Sequence, residues 1–181
     1  MAESRRTRMT KTMIRDALID LLEEQPLEKI SVTDICERAD VNRSTFYAHY
    51  EDVSALMRDA EDDALAHVPV TQTVPSLSKE DAMMKKLIVF LQYIRENDRL
   101  FRVLILQADR SSFNQRLSQM ILEQYRPLIH ESDRWQYEYA FYMNGITGLL
   151  QEWFSSSFSP DEAFLAHFIL DMALAVFRDS E

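Results

Sequence analysis

Apolar side chains fall at helical spacing from the first tens of residues onward. Between Ile14 and Leu22 they occupy positions 14, 17, 18, 21 and 22, one face of a helix that Gln25-Pro26 should end. Val32, Ile35, Cys36 and Ala39 repeat the spacing over barely two turns, with Ser31 or Thr33 as the cap and Thr33, Asp34, Glu37 and Arg38 turned outward. The following "ADVN" is too short for anything but a tight turn, and Asn42 is a good N-cap for a third helix from Arg43 to about Tyr50. Two short helices about a tight turn define a helix-turn-helix.

A fourth stripe, Val53, Leu56, Met57, Ala60 and Ala64, predicts a longer helix over about 52–67 that stops before Val68-Pro69. "PVTQTVPSLS", residues 69–78, reads as a linker, and amphipathic stretches follow at about 80–96, 98–108, 112–127, 134–157 and 160–178. Two glycines and five prolines in 181 residues leave little material for the tight turns of a sheet. The expected fold class is all-α with about nine helices. The expected division is a helix-turn-helix domain over 1–50 followed by a larger helical domain over 51–181.

The third helix has an unusual surface. On a 100° wheel Ser44, Thr45 and Ala48 share one small-sided face, Tyr47 and His49 flank it, and Phe46 and Tyr50 point away as anchors. Arg43 lies in the first turn, beside amides that have no partner inside the helix. Such a face suits a helix that enters a DNA groove: small residues let the backbone approach base edges, while Tyr, His and Arg reach phosphates or a guanine edge. The same spacing also fits a short solvated helix with Tyr47 and His49 half exposed.

Charge localises any anionic partner. The chain carries a net charge of −10, yet residues 1–15 hold Arg5, Arg6, Arg8, Lys11 and Arg15 against Glu3 alone, whereas residues 51–181 hold 12 basic and 21 acidic side chains. The single cysteine, Cys36, allows no intrachain disulfide, and the first residues lack the apolar stretch of a secretory signal, so a reducing cytoplasm is the expected compartment. The longest apolar stretch, residues 163–177, is interrupted by His167 and Asp171 and is not expected to span a membrane.

The segment "SVTDICERADVNRSTFYAHYEDVSALM", Ser31 to Met57, resembles the DNA-binding domain of TetR-type (TetR/AcrR) transcriptional regulators. "YIRENDRLFRVLI" and "NGITGLLQEW" in the C-terminal half resemble a subgroup that includes dihydroxyacetone-kinase-regulator-like proteins. The resemblance implies a three-helix DNA-binding domain on a helical ligand and dimerisation domain. It implies DNA contacts at Thr33, Asn42, Arg43, Ser44, Thr45, Tyr47 and His49, with Phe46, Tyr50 and Leu56 at packing positions. Two residues depart from the family pattern. Asp40 stands where glycine is usual in the turn, and Asp tolerates a left-handed backbone better than most residues. Val53 stands where a lysine usually meets a phosphate, behind the acidic Glu51-Asp52 pair, so one ionic contact is expected to be missing.

In the C-terminal half, residues 135–154 are apolar almost all round, which predicts burial on both sides, and Gly145 and Gly148 suit close approach of another helix. With the last helix they predict a homodimer through about 134–157 and 160–178, which would read a palindromic operator as two half-sites. A monomer with one thick core is the alternative. Phe90, Tyr93, Phe101, Phe141, Tyr142 and Trp153 are core candidates first and candidates for an effector pocket second. No catalytic constellation, cofactor motif or metal set stands out: Asp63 with His67 and His167 with Asp171 are i, i+4 pairs that lack further ligands. The expected function is a small-molecule-responsive repressor on double-stranded DNA. The rival reading is a coregulator with a degenerate helix-turn-helix, acting through protein contacts.

Overall fold

A computed structural model describes residues 4–68, 79–107, 113–125 and 133–177. Among them the elements are helical throughout: α1 (Arg5–Glu24), a 3-10 turn (Leu27–Lys29), α2 (Val32–Arg38), α3 (Arg43–Tyr47), α4 (Val53–Ala66), α5 (Lys79–Glu96), α6 (Asp98–Arg102) running into a π-helical turn (Val103–Gln107), α7 (Phe113–Tyr125), α8 (Trp135–Ser155) and α9 (Glu162–Phe177). The expected linker over 69–78, and the expected helix ends beyond Gln107, Tyr125 and Phe177, lie outside the described residues.

Local chemistry explains the first four helices. Helix α1 begins nine residues before the apolar stripe, because Ser4 caps it, its Oγ accepting the Thr7 N–H at 3.1 Å, and no helix breaker follows. Those early turns bury nothing, which is why periodicity missed them. Ser31, not Thr33, caps α2, and it does so in a capping box: Ser31 Oγ accepts from the Asp34 N–H at 3.2 Å while Asp34 accepts from the Ser31 N–H at 2.8 Å. Helix α2 then closes in a Schellman motif. Val41 N–H donates to Cys36 O at 3.0 Å, and Asp40, at φ 52°, occupies the left-handed position that usually belongs to glycine.

Helix α3 is shorter than the sequence suggested, ending at Tyr47 rather than near Tyr50. The chain must reach the Asp52 cap of α4 within five residues, so the last turn tightens, with His49 N–H bonded to Phe46 O at 2.9 Å. Tyr50 N–H also reaches Phe46 O at 2.9 Å, so the anchors keep helical spacing. Ile14, Leu18, Ile35, Phe46 and Leu56 are fully buried together and tie α1 to α4 into one core.

In the C-terminal half α5 and α8 both pack on α9, and Leu91, Ile94, Phe101, Phe113, Trp153 and Phe154 fill the interior. The π-helical turn is the junction, because its buried Val103, Leu104 and Ile105 lie in an element that meets α1, α7 and α8. Ion pairs reinforce that junction. Arg99 of α6 holds Asp20 and Glu23 of α1, and Arg116 of α7 holds Asp62 and the buried Glu61 of α4.

Within the chain, α8 is not buried on both sides. Only Leu150, Trp153 and Phe154 are fully enclosed, while Tyr137 and Phe141 are 78% and 75% exposed. Phe164, Phe168 and Met172 of α9 are exposed as well. Apart from the local helix backbone, no atom of the described residues lies within 4 Å of where a side chain would begin on Gly145 or Gly148. The surplus of apolar residues forms an outer face rather than a thicker core.

Candidate nucleic-acid interface

The α2–α3 corner gathers five of the seven predicted contact residues in two small hydrogen-bond clusters. Asn42 Oδ1 caps α3 by accepting from the Thr45 N–H at 2.9 Å, and it also accepts from the hydroxyls of Thr45 at 2.8 Å and Ser44 at 2.6 Å. One carboxamide oxygen thus orients both small residues. Arg43 reaches back across the turn, its Nη2 donating to Thr33 Oγ1 at 2.5 Å, so the only predicted contact residue outside α3 and its flanks is tied to the first turn of α3.

The outward and inward sides of α3 separate as the wheel predicted. Asn42, Arg43, Ser44, Tyr47 and Ala48 are exposed, Thr45 and His49 half-buried, and Phe46 and Tyr50 buried. Phe46 meets Tyr47 edge-on at 5.6 Å and Tyr50 at 5.8 Å, so the buried ring positions the exposed one. Tyr50 is fixed in turn: its hydroxyl donates to Asp59 Oδ2 at 2.9 Å, and Lys11 lies 5.8 Å over its ring.

Asp59 is the electrostatic hub behind this surface. Arg15 donates to Asp59 at 3.0 Å and to Asp63 at 2.5 Å, and Lys11 lies 3.9 Å from Asp59. Burial alone would raise the Asp59 pKa, but hydrogen bonds from Arg15 and Tyr50 outweigh it and hold the carboxyl below the usual carboxylate range. These partners were not legible in the sequence, where Arg15 reads only as part of a basic segment and lies 44 residues from Asp59. Of the acidic pair before α4, Asp52 serves the fold, since its Oδ1 caps the helix by accepting from Ala55 N–H at 2.6 Å.

The six residues considered for an effector fall in several places. Phe90, Tyr93 and Phe101 share an aromatic cluster with Phe113, in which Phe101 is fully buried and Phe90 and Tyr93 half-buried. Trp153 is sealed against Phe158, its indole N–H donating to Pro160 O at 2.6 Å. Tyr142 packs on Phe177 and donates to Ile169 O at 3.1 Å. Phe141 stands apart on the outer face, lining an open groove with Arg134, Tyr137, Glu138 and Val176. Among the described residues no three His, Cys, Asp or Glu side chains gather as a metal site, and no helix is long and apolar enough to cross a membrane. Asp63, 3.9 Å from His67, is already engaged by Arg15.

A compact helix-turn-helix carried on a larger all-helical body defines the class of helix-turn-helix transcriptional regulators. The family description "Bacterial regulatory proteins, tetR family" matches residues 14–60, and "Transcriptional regulator C-terminal region" matches residues 81–174, more than half of the chain. The chain belongs to the TetR family of bacterial transcriptional regulators.

Solved structures agree on the fold. A TetR transcriptional regulator from Streptococcus agalactiae 2603V is 24% identical over 96% of this chain and 97% of its own, with a TM-score of 0.68. MexZ, described as a key repressor responsible for antibiotic resistance in Pseudomonas aeruginosa, is 19% identical over 98% of this chain and 97% of its own, with a TM-score of 0.65. DhaS, described as a dihydroxyacetone kinase operon activator, is 20% identical over 93% of this chain and 96% of its own, with a TM-score of 0.56, in keeping with the resemblance of the C-terminal half. No curated protein matches the chain.

Proposed function

We propose that the protein is a homodimeric repressor that reads a palindromic operator with α3 of each subunit and is released by a small molecule. The observation that carries this reading is the sidedness of α3, with bulky Phe46 and Tyr50 inward and Ser44, Tyr47 and Ala48 outward. Asn42, Arg43, Ser44, Thr45 and Thr33 then face the major groove, and Tyr47 and His49 reach the flanking phosphates. Division of the chain near residue 50 follows, with α4 belonging to the regulatory half and carrying the reading head. The exposed apolar faces of α8 and α9, with open space above Gly145 and Gly148, suit a second copy of the chain in a four-helix interface.

Repression by occlusion needs no contact beyond the operator. Because MexZ is described as a repressor and DhaS as an activator, the shared fold does not fix the sign, which a promoter-fusion assay measures directly. For release, the half-buried Tyr93 is where the aromatic cluster meets α4: it lies 6.3 Å from the ring of His67, which closes that helix, while Phe90 joins the cluster through Phe101. A ligand that parts these rings would tilt α4 and change the spacing of the two heads, provided that it binds the tilted state more tightly.

Selection from random DNA at several salt concentrations tests the reading. A palindromic site should be enriched. Tyr47→Ala should weaken binding to all duplexes alike, and Thr45→Ala should change preference at particular bases. Recovery of no site at low salt would overturn the proposal and favour a coregulator that works through protein contacts.

A further inference from the structure

The donors and acceptors of the α2–α3 corner are committed unevenly. Asn42 Oδ1 takes the Thr45 N–H at 2.9 Å and the hydroxyl hydrogens of Thr45 at 2.8 Å and Ser44 at 2.6 Å. Both hydroxyls therefore offer only oxygen lone pairs to a partner that approaches from outside. Side-chain donation in this turn is left to the Asn42 amide and to Arg43, the one lysine or arginine between Arg38 and Arg58.

Arg43 is exposed yet held in one pose. Its Nη2 donates to Thr33 Oγ1 at 2.5 Å, and Thr33 sits in the first turn of α2, which the Ser31–Asp34 capping box fixes. The carboxylate next to Thr33 does not neutralise it: Asp34 Oδ2 is taken by the Ser31 N–H at 2.8 Å and the Ser31 hydroxyl at 2.7 Å. Arg43 pairs with no carboxylate among the described residues. A guanidinium steadied by a neutral hydroxyl keeps its full charge and most of its fork of N–H groups for a partner outside the subunit. Holding it in place beforehand also lowers the rotamer entropy that an arginine loses on binding.

Such a fork has one best match among the base edges of the major groove. Guanine presents two acceptors there, N7 and O6, whereas adenine presents an acceptor beside an amino donor, thymine a single carbonyl and cytosine an amino group. Resting on the DNA-binding reading above, we propose that Arg43 reads a guanine in each half-site, and that Thr33 is a positioning residue that aims the guanidinium rather than a DNA contact of its own. The resemblance to the family marks both positions as contacts without assigning a base; the bond between them divides the labour and names the base.

The test uses the full-length protein and the half-site recovered by selection from random duplexes. That half-site should hold a guanine at a fixed position, and exchanging its base pair should weaken the wild type by about tenfold or more. Replacing the guanine by 7-deazaguanine, which lacks only the N7 acceptor, should weaken it by about tenfold. Arg43→Ala should bind all of these duplexes within about twofold of one another. Thr33→Val keeps the shape and removes the hydroxyl; it should cut the preference for guanine to about threefold, with binding to a random duplex and thermal stability little changed. Thr33→Ser should keep the wild-type preference. Half-sites without a fixed guanine, or a wild type indifferent to 7-deazaguanine, would overturn the guanine assignment. So would an Arg43→Ala variant that loses affinity for all duplexes alike and keeps the preference, the mark of a phosphate contact. A wild-type preference in Thr33→Val would overturn the positioning role. Failure of the wild type to bind any duplex at low salt would overturn the underlying DNA-binding reading instead.

Discussion

The reading head and the regulatory half are built from the same element, yet they bury their aromatic residues in opposite ways. In the head, Phe46 and Tyr50 turn inward and leave a polar face outside, whereas in the regulatory half Tyr137, Phe141 and Phe164 turn outward from a core that is already filled by Phe101, Trp153 and Phe154. A head that meets polar DNA gains by hiding its rings other than Tyr47, whose hydroxyl can reach a phosphate, and in the proposed dimer the other half gains by showing them. The contrast can be broken at one residue on each side. Phe46→Ala should cost about 3–5 kcal/mol, because a fully buried ring in contact with two others leaves a cavity. Chemical denaturation should show that loss together with loss of DNA binding; a cost below about 1 kcal/mol would mean that Phe46 is not the anchor.

Phe141→Glu should do the reverse. With 75% of its surface exposed in the subunit, it should change subunit stability by no more than about 0.5 kcal/mol. In the proposed dimer, however, it places a carboxylate on each apolar face, and self-association should weaken by about 100-fold, roughly 2.7 kcal/mol, in sedimentation measurements. A wild type that stays monomeric at all concentrations would remove the dimer, and with it the reading of a two-fold operator. A dimer that Phe141→Glu leaves unaffected would place the interface elsewhere.

How much of this was legible from the residues differs between the halves for a physical reason. The head is specified by short-range devices: the Asn42 cap, the periodic stripes and the inward Phe46 and Tyr50 all act within about one or two turns, and all are where the sequence placed them. The capping residue of α2 had two candidates, and only Asp34 reciprocating toward Ser31 decides between them. In the regulatory half the helices were predicted close to their observed bounds, but apolar richness cannot distinguish core from outer face. Residues 135–154 read as buried all round because an exposed apolar face and a core have the same composition. Ion pairs such as Arg99 with Asp20 and Glu23, or Arg116 with Glu61, join residues more than fifty positions apart and left no local trace.

A subtler difference is how the head is fastened. Asp59 joins α1, α4 and Tyr50 through ionic hydrogen bonds, so the placement of α3 should depend on its charge. Its carboxyl has a folded pKa below the usual value. Its contribution is therefore fully present above the unfolded pKa of about 3.9 and is lost as pH falls through the folded one. Replacing it by asparagine should lower stability by about 1.5–3 kcal/mol at pH 7, since hydrogen bonds to a charged group are removed. The gap between Asp59→Asn and the wild type should stay constant above about pH 5 and close as pH falls below about 4. A gap of the same size at every pH would mean that packing, not charge, gives Asp59 its role.

The smallest expected effect concerns Asp40, where the turn itself can be tuned. At φ 52° it holds a conformation that costs most side chains about 1–2 kcal/mol and aspartate less, and the Val41 to Cys36 bond depends on it. Asp40→Gly removes that cost but frees the unfolded chain, so the net gain should be only about 0.5 kcal/mol, whereas Asp40→Ala should lose about as much. Stability alone would not separate backbone from charge, because Asp40 is also an exposed anion in the turn that presents α3. Asp40→Asn does separate them: it keeps the tolerance for the left-handed backbone and removes the charge. If repulsion of phosphate by this turn matters, the asparagine and glycine variants should bind random duplex DNA more tightly than the wild type by the same small factor, about two- to threefold at low salt, with only the glycine variant more stable. If both variants bind as the wild type does, Asp40 is a matter of turn geometry alone, and the acidic residues around α3 lie too far from the backbone of the duplex to oppose it.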